Sequence, residues 1–325
     1  MPANILEQQA SNRRRTWLVM LVFVAFVFLL GYGLDRFYLR LPFPVAGWVA
    51  LAVGTGSAVH GYFRGDRAAL KSSTAVPYEE LDRDTTTSPE FRFKLRQFSN
   101  VVDEMCLASG LPRPRLYVIP DTDPNAFATG RDPRRASIAV TRGLLERLDR
   151  DELQGVIAHE LSHVRNYDIR LLTVIAALVG AVALLSDWAK RVGPGSGGGK
   201  SSRSKEGGGG GPLGLVLFAV WFAAIVLAPL IGHLLAMLVS RNREYLADAS
   251  AAEMTRNPLA LARALGKVEA AAEPTRAIKR GTANLCIVDP LARPIGRQVG
   301  AWADLLASHP PIEERVAALS GMAYV

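Results

Sequence analysis

His159-Glu160-Leu161-Ser162-His163 is the pentapeptide in this chain best suited to chemistry. Two histidines four residues apart share one face of a helix, so both imidazoles can reach a single ion. The glutamate beside the first histidine can then reach a water held there. The chain has only five histidines, and a chance occurrence by composition is roughly a one-in-a-hundred event. The plain alternative is an exposed helix carrying two solvated histidines. Val156, Ile157 and Leu161 speak against it, because they place the segment in a core. A catalytic zinc takes three protein ligands and leaves a fourth position open, so one more ligand must come from elsewhere. Glu244 and Asp248 are candidates: four residues apart, they share a helix face. One of them can bind metal while the other orients a neighbouring ligand. Spacing alone leaves this open, since such pairs are also common on solvated helices.

Further segments extend the pattern. Arg241-Asn242-Arg243-Glu244-Tyr245-Leu246-Ala247-Asp248 follows the histidine motif and Pro124-Asn125-Ala126-Phe127-Ala128-Thr129-Gly130 precedes it. Asn284-Leu285-Cys286-Ile287-Val288-Asp289-Pro290 and Ser308-His309-Pro310-Pro311-Ile312-Glu313-Glu314-Arg315 come after. Together they resemble the HtpX-type membrane zinc endopeptidases, relatives of the CAAX prenyl endopeptidases, over residues 88 to 319. The resemblance implies a zincin-type domain with one Zn²⁺ per chain, held by His159, His163 and Glu244. It implies Glu160 as the general base that takes a proton from water and passes it to the leaving amine. Asp248 becomes the partner that orients a ligand, and His309 and Asn125 become donors to the oxyanion. Asn125, Ala126, Phe127 and Ala128 become the strand on which an extended polypeptide is laid. If that strand is a sheet edge, a peptide adds to it through main-chain hydrogen bonds, which suits unfolded substrates. Residues 65–87 match nothing in the family pattern.

The elements that must hold these residues can be read from pattern. Residues 64–168 read as the first part of a catalytic domain. Ser88 caps a helix with Pro89 at its first position, Phe91, Leu95, Phe98, Val102 and Met105 recur at helical spacing, and Gly110 with Pro112 stops it. Arg115–Ile119, Asn125–Thr129 and Ser137–Thr141 read as short strands. Asp149-Arg150-Asp151-Glu152 reads as a capping box that opens the helix bearing the two histidines. Residues 240–325 read as the second part, with a helix from Asn257-Pro258 and a last one after His309-Pro310-Pro311. These helices are too few to make a core alone and are expected to pack on the first part.

Four apolar runs remain: Trp17–Leu34, Phe43–Phe63, Leu171–Ser186 and Leu213–Val239. About 20 apolar residues cross a bilayer, so the first, second and fourth qualify, and the short third qualifies as the fourth's return partner. Residues 1–63 thus read as one membrane hairpin and 169–239 as a second. The latter holds a linker with ten glycines between Gly193 and Gly211, too flexible and polar to carry chemistry. Basic residues flanking the spans, ten on one side against seven on the other, place the N-terminus and the catalytic domain inside. The linker's own lysines and arginines dissent. His233 lies three helical turns, about 16 Å, before Glu244, too far to join it as a ligand. His60 sits near the end of the second run and reads as interfacial.

The expected class is therefore an α+β membrane protein, mostly helical, with a small sheet, a histidine-bearing helix and about four transmembrane helices. A formal charge of +8 would suit nucleic acid, but many of the arginines flank spans, so no nucleic-acid partner is expected. Cys106 and Cys286, far apart, exclude a disulfide scaffold. The leading reading is a multi-pass inner-membrane zinc endopeptidase that cuts misfolded or surplus membrane proteins on the cytoplasmic side. A prenyl-protein endopeptidase of the CAAX type and an inactive membrane scaffold or chaperone are the alternatives. Oligomeric state is not legible in the sequence.

Overall fold

The structure, a computed structural model, describes residues 5–39, 41–178, 241–271, 275, 277–278, 280–283, 285–288 and 310–323. The chain is mostly helical with one small mixed sheet. Helix α1 (Ile5–Gly33) passes through a π-helical turn at Leu34–Leu39 and returns as α2 (Val45–Ser72). The hairpin is closed by Asp35, whose two carboxylate oxygens accept from Ala46 N at 3.0 Å and Gly47 N at 2.7 Å. That satisfies backbone donors at the start of α2 which no turn of helix can reach. Gln9–Arg36 is the one helix among the described residues long and apolar enough to cross a membrane, with mean hydropathy 2.5. The second run lies in α2, where Gly54, Gly56, His60 and Gly61 dilute the apolar content. The third run is described as far as residue 178, and the fourth, with His233 and the glycine-rich linker, lies outside the described residues.

Residues 65–87 finish α2 and supply strand β1 (Val76–Pro77) and helix α3 (Tyr78–Arg83). Helix α4 (Pro89–Ser109) begins and ends where its sequence signals stand. Ser88 accepts from Phe91 N, and Gly110 takes φ +67, a left-handed conformation that favours glycine. Strands β2 (Arg115–Ile119), β3 (Ala126–Thr129) and β4 (Ser137–Thr141) follow. After the short helix α5 (Arg142–Arg147) comes α6 (Arg150–Arg165), opened by the complete capping box of Asp149 and Glu152. Beyond residue 240 stand α7 (Arg241–Thr255), α8 (Pro258–Ala270), α9 (Arg280–Ala283) and α10 (Ile312–Met322).

The sheet order is β1-β2-β4-β3, with β2 and β4 parallel and the other two pairings antiparallel. Side chains alternate across a strand, and here both faces are covered. Leu116, Val118, Ala126, Ala128, Ile138 and Val140 enter a core with α4, α6 and α8. Ile119, Phe127 and Ala139 enter a second core with α1, α2 and residues 171–178. The sheet is thus sandwiched between the histidine-bearing helix and the hydrophobic hairpin, which ties the site rigidly to the hairpin. The later helices pack on the first part as expected: α7 and α8 lie on α6, and α10 lies on α7 and α8. Gly155 permits the close approach of α8, since a Cβ there would stand 3.0 Å from the backbone of Leu261.

Candidate metal centre

His159 and His163 project from one face of α6, buried at the contact with α7. Their Nε2 atoms face each other at 3.2 Å. Glu244, from the first turn of α7, places Oε2 3.7 Å from His159 Nε2 and Oε1 3.7 Å from His163 Nε2. Ligand atoms of these three residues all lie within 4.8 Å of one another. Ligands held tetrahedrally at about 2.0–2.1 Å from zinc stand roughly 3.3 Å apart, so the trio fits such an ion with only small adjustment. Two imidazoles and a carboxylate also form a donor set suited to a catalytic zinc.

The far sides of the imidazoles are held as firmly. His159 Nδ1 lies 2.9 Å from Asp248 Oδ1, and His163 Nδ1 lies 3.0 Å from Asp168 Oδ2. A carboxylate at Nδ1 fixes the ring and keeps the proton there, leaving the Nε2 lone pair for a metal. Asp248 is in turn gripped by Arg315 of α10, through Nε to Oδ2 at 2.8 Å and Nη2 to Oδ1 at 2.7 Å. Asp168 accepts from Asn12 Nδ2 at 2.6 Å and Arg243 Nη1 at 3.3 Å. A turn at Asn166–Tyr167 makes the second arrangement: Tyr167 takes φ +59, breaking α6 so that Asp168 swings back under His163. Such a φ is uncommon outside glycine, and its strain of about 1 kcal/mol or more is held by the surrounding contacts.

Burial sets the electrostatics. It pushes the Glu160 carboxyl up to about 7, with Glu244 adding to the rise and His163 opposing it. The backbone N–H of Ala128, in β3, also opposes the rise by donating to Glu160. Burial lowers His159 below its ordinary value. Burial works to lower His163 as well, but the Asp168 hydrogen bond and the Glu244 charge prevail and lift it to about 9. Asp248, which burial alone would raise, is held below the usual carboxylate range by Arg315. The site can therefore hold a metal beside a carboxylate poised to exchange protons near neutral pH.

Of the residues singled out from the sequence, His159, Glu160, His163, Glu244 and Asp248 come together. Asn125 is fully buried, and its side chain is engaged in the fold: Nδ2 donates to Val288 O at 2.9 Å and Oδ1 accepts from Ala126 N at 3.0 Å. Ala126, Phe127 and Ala128 lie on β3, at the edge of the sheet and against α6. That edge is partly occupied, because Phe127 bridges to Cys286 and Ile287 N donates to Ala126 O at 2.9 Å. His309 lies outside the described residues. Sequence reasoning missed Asp168, Arg243, Asn12 and the role of Arg315. Arg243 and Arg315 had a signal, since each stands within a quoted motif, whereas Asp168 and Asn12 had none.

The description "Peptidase family M48" matches residues 94–323. A "Protease HtpX homolog" of Thermoanaerobacter pseudethanolicus is 38% identical over 328 residues, covering 98% of each chain. Another of Streptococcus gordonii is 37% identical over 319 residues, covering 98% of this chain and all of the relative. Among solved structures, S. mikatae Ste24p aligns with 97% of this chain and 67% of its own at 18% identity, with a TM-score of 0.45.

Proposed function

The chain belongs to peptidase family M48, and on that premise we propose a zinc endopeptidase that cuts misfolded or surplus membrane proteins at the cytoplasmic face. It is a membrane metalloprotease of the HtpX type, as its relatives over nearly the whole chain have it. The observation that carries the zinc assignment is the facing of the two Nε2 atoms, each with its opposite nitrogen held by a carboxylate.

His159, His163 and Glu244 would hold the ion, which when bound supplies Lewis acidity toward the scissile carbonyl and toward water. Glu160, near neutrality, takes a proton at its carboxylate and delivers it to the departing amine. Asp248 and Asp168 keep both imidazoles in the ligating orientation, and Arg315 keeps Asp248 ionised. His309 and Asn125 are assigned to the oxyanion, Asn125 also holding β3 to Val288. An extended polypeptide adds along Asn125–Ala128 and must displace or share the contacts of Cys286 and Ile287.

The membrane arrangement completes the reading: a hairpin of residues 1–63, a second of residues 169–239, and a catalytic domain divided between 64–168 and 240–325. It makes the protein multi-pass in the inner membrane, with about four spans and the catalytic domain cytoplasmic. Support comes from α1, the apolar helix whose Asn12 reaches Asp168 beside the site. The names of the relatives favour this over a prenyl-protein endopeptidase, and the intact ligands and base favour it over an inactive scaffold. The test is Glu160→Gln. With zinc still bound, it should abolish cleavage and leave substrates to accumulate in a comparative proteome; unchanged cleavage rejects the mechanism.

A further inference from the structure

Seven arginines line a cavity of about 510 Å³ beside α2. Arg64 and Arg67 come from α2, Arg113 and Arg115 from the approach to β2 and its start, and Arg131, Arg134 and Arg135 from the turn between β3 and β4. Three carboxylates answer four of them: Asp66 lies 2.8 Å from Arg115, Asp103 2.6 Å from Arg113, and Asp132 3.5 Å from Arg131 and 3.0 Å from Arg135. Arg64, Arg67 and Arg134 have no ion pair among the described residues, so the cavity keeps an excess of positive charge. A solvated face would space such like charges apart, and gathering them around a concavity raises its affinity for an anion.

The position of the cavity selects the anion. Trp17 of α1 stacks on Tyr62 of α2 at 5.7 Å, and Tyr62 meets the ring of Phe63 at 5.0 Å. Trp17 is 61% and Phe63 58% exposed. Outward aromatic side chains at the end of an apolar helix hairpin mark the boundary between hydrocarbon and headgroups. Arg170 lies over Tyr62 at 5.7 Å and Arg131 over Phe63 at 4.9 Å, so cations stand just beyond that boundary. Arg64 follows Phe63 directly, and Arg67 lies about 6 Å beyond Phe63 along the helix. The headgroup layer of one leaflet is of similar depth, roughly 5–7 Å. Phe63 also lines the cavity, offering an apolar wall beneath the arginines.

We propose that this arginine cavity binds the headgroup phosphate of an anionic phospholipid, with the acyl chains on the Phe63 side. Guanidinium groups bond phosphate oxygens in pairs, and the cytoplasmic leaflet supplies anionic headgroups at this depth. Because Arg131 follows Gly130 at the end of β3, a bound headgroup also fixes the substrate strand against the membrane surface. The inference rests on the membrane arrangement proposed above.

The test uses the full chain in neutral detergent, titrated with phosphatidylglycerol, phosphatidylcholine, inorganic phosphate or a single-stranded oligonucleotide. Thermal shift and native mass spectrometry provide the readouts. Phosphatidylglycerol should raise Tm and remain as an adduct, less so at high salt, while phosphatidylcholine and phosphate should do neither. Arg64→Gln, Arg67→Gln and Arg134→Gln combined should weaken that response roughly a hundredfold, and the three Lys replacements should restore part of it. Glu160→Gln should bind as the wild type does, which separates lipid binding from catalysis. An equal response to phosphatidylcholine, or an undiminished response in the Gln variant, overturns the site. Saturation by inorganic phosphate, or preference for the oligonucleotide, overturns the lipid as its ligand. Val53→Cys, midway along the α2 apolar run, checks the premise in vesicles. Its labelling by an impermeant maleimide means the membrane arrangement has failed, whereas protection without a phosphatidylglycerol response means the lipid proposal alone has failed.

Discussion

Arg315 grips Asp248 by both carboxylate oxygens, at 2.8 and 2.7 Å, while Asp248 Oδ1 stands 2.9 Å from Nδ1 of His159. All three groups are buried. Removing one partner of a buried charge pair leaves the other uncompensated, at a cost of about 3–5 kcal/mol. Arg315→Ala should therefore lower stability by about that amount and reduce zinc retention, although Arg315 is assigned no contact with the ion. Arg315→Lys keeps the charge without the planar fork and should fall between. Chemical denaturation and metal analysis of the purified variants check this, and unchanged stability with full zinc content would reject the linkage.

Asp168 offers a second test of ligand orientation, because its Oδ2 holds the far side of the His163 ring while its Oδ1 accepts from Asn12 and Arg243. Asp168→Asn preserves size and removes the charge. Loss of such a partner weakens metal binding by roughly 10–100-fold, measurable by competition with a chelator of known affinity. Affinity equal to wild type would show that packing alone orients His163.

The metal-free protein should lose stability as pH rises from 7 to 9. The His163 pKa is raised from 6.5 to about 9, so its contribution is fully present below 6.5 and vanishes as pH climbs through 9. Glu160, raised from 4.5 to about 7, acts in the same direction at lower pH, its contribution gone once pH passes 7. His159, lowered below 6.5, acts oppositely but only on the acid side. The limiting slope is about 1.4 kcal/mol per pH unit for one proton. Since a ligand must give up its proton to a metal, zinc affinity should rise across the same interval. Melting curves of chelated protein in a series of buffers decide it; a flat profile from pH 7 to 9 contradicts a protonated His163.

Peptide binding along β3 should expose the Ile287 amide, which now donates to Ala126 O. Hydrogen exchange of the Glu160→Gln protein with a bound unfolded substrate should show faster exchange at residues 285–288 and slower exchange in the peptide backbone. Added protection at Ile287 would mean that substrate lies on another surface.

Much of this site was legible because its chemistry is written in local spacing. The histidines share a helix turn, Glu244 and Asp248 share another, and Ser88, Gly110, Asp149 and Asn257 mark helix ends within reach of their own hydrogen-bonding groups. Residues that act across the fold were silent. Asp168 reaches His163 only because Tyr167 adopts a left-handed backbone, which no side-chain pattern announces. Asn12 arrives from the apolar hairpin, 156 positions from Asp168. Sheet order was equally hidden, since β3 and β4, buried throughout, carry no polar face, and strand order is set by pairing across the chain rather than by pattern within one strand. The bridge from Phe127 to Cys286 joins segments with no shared periodicity.

The reach of Arg315 also sets a clock. It meets Asp248 across 67 positions and His159 across 156. A growing chain made only as far as Asp248 already carries His159, Glu160, His163 and Glu244, yet it lacks the arginine that grips the aspartate behind them. Contacts so distant in sequence are closed late, because the loop entropy must be met first. The arginine behind the His159–Asp248 pair is therefore supplied only once α10 has been made and has docked.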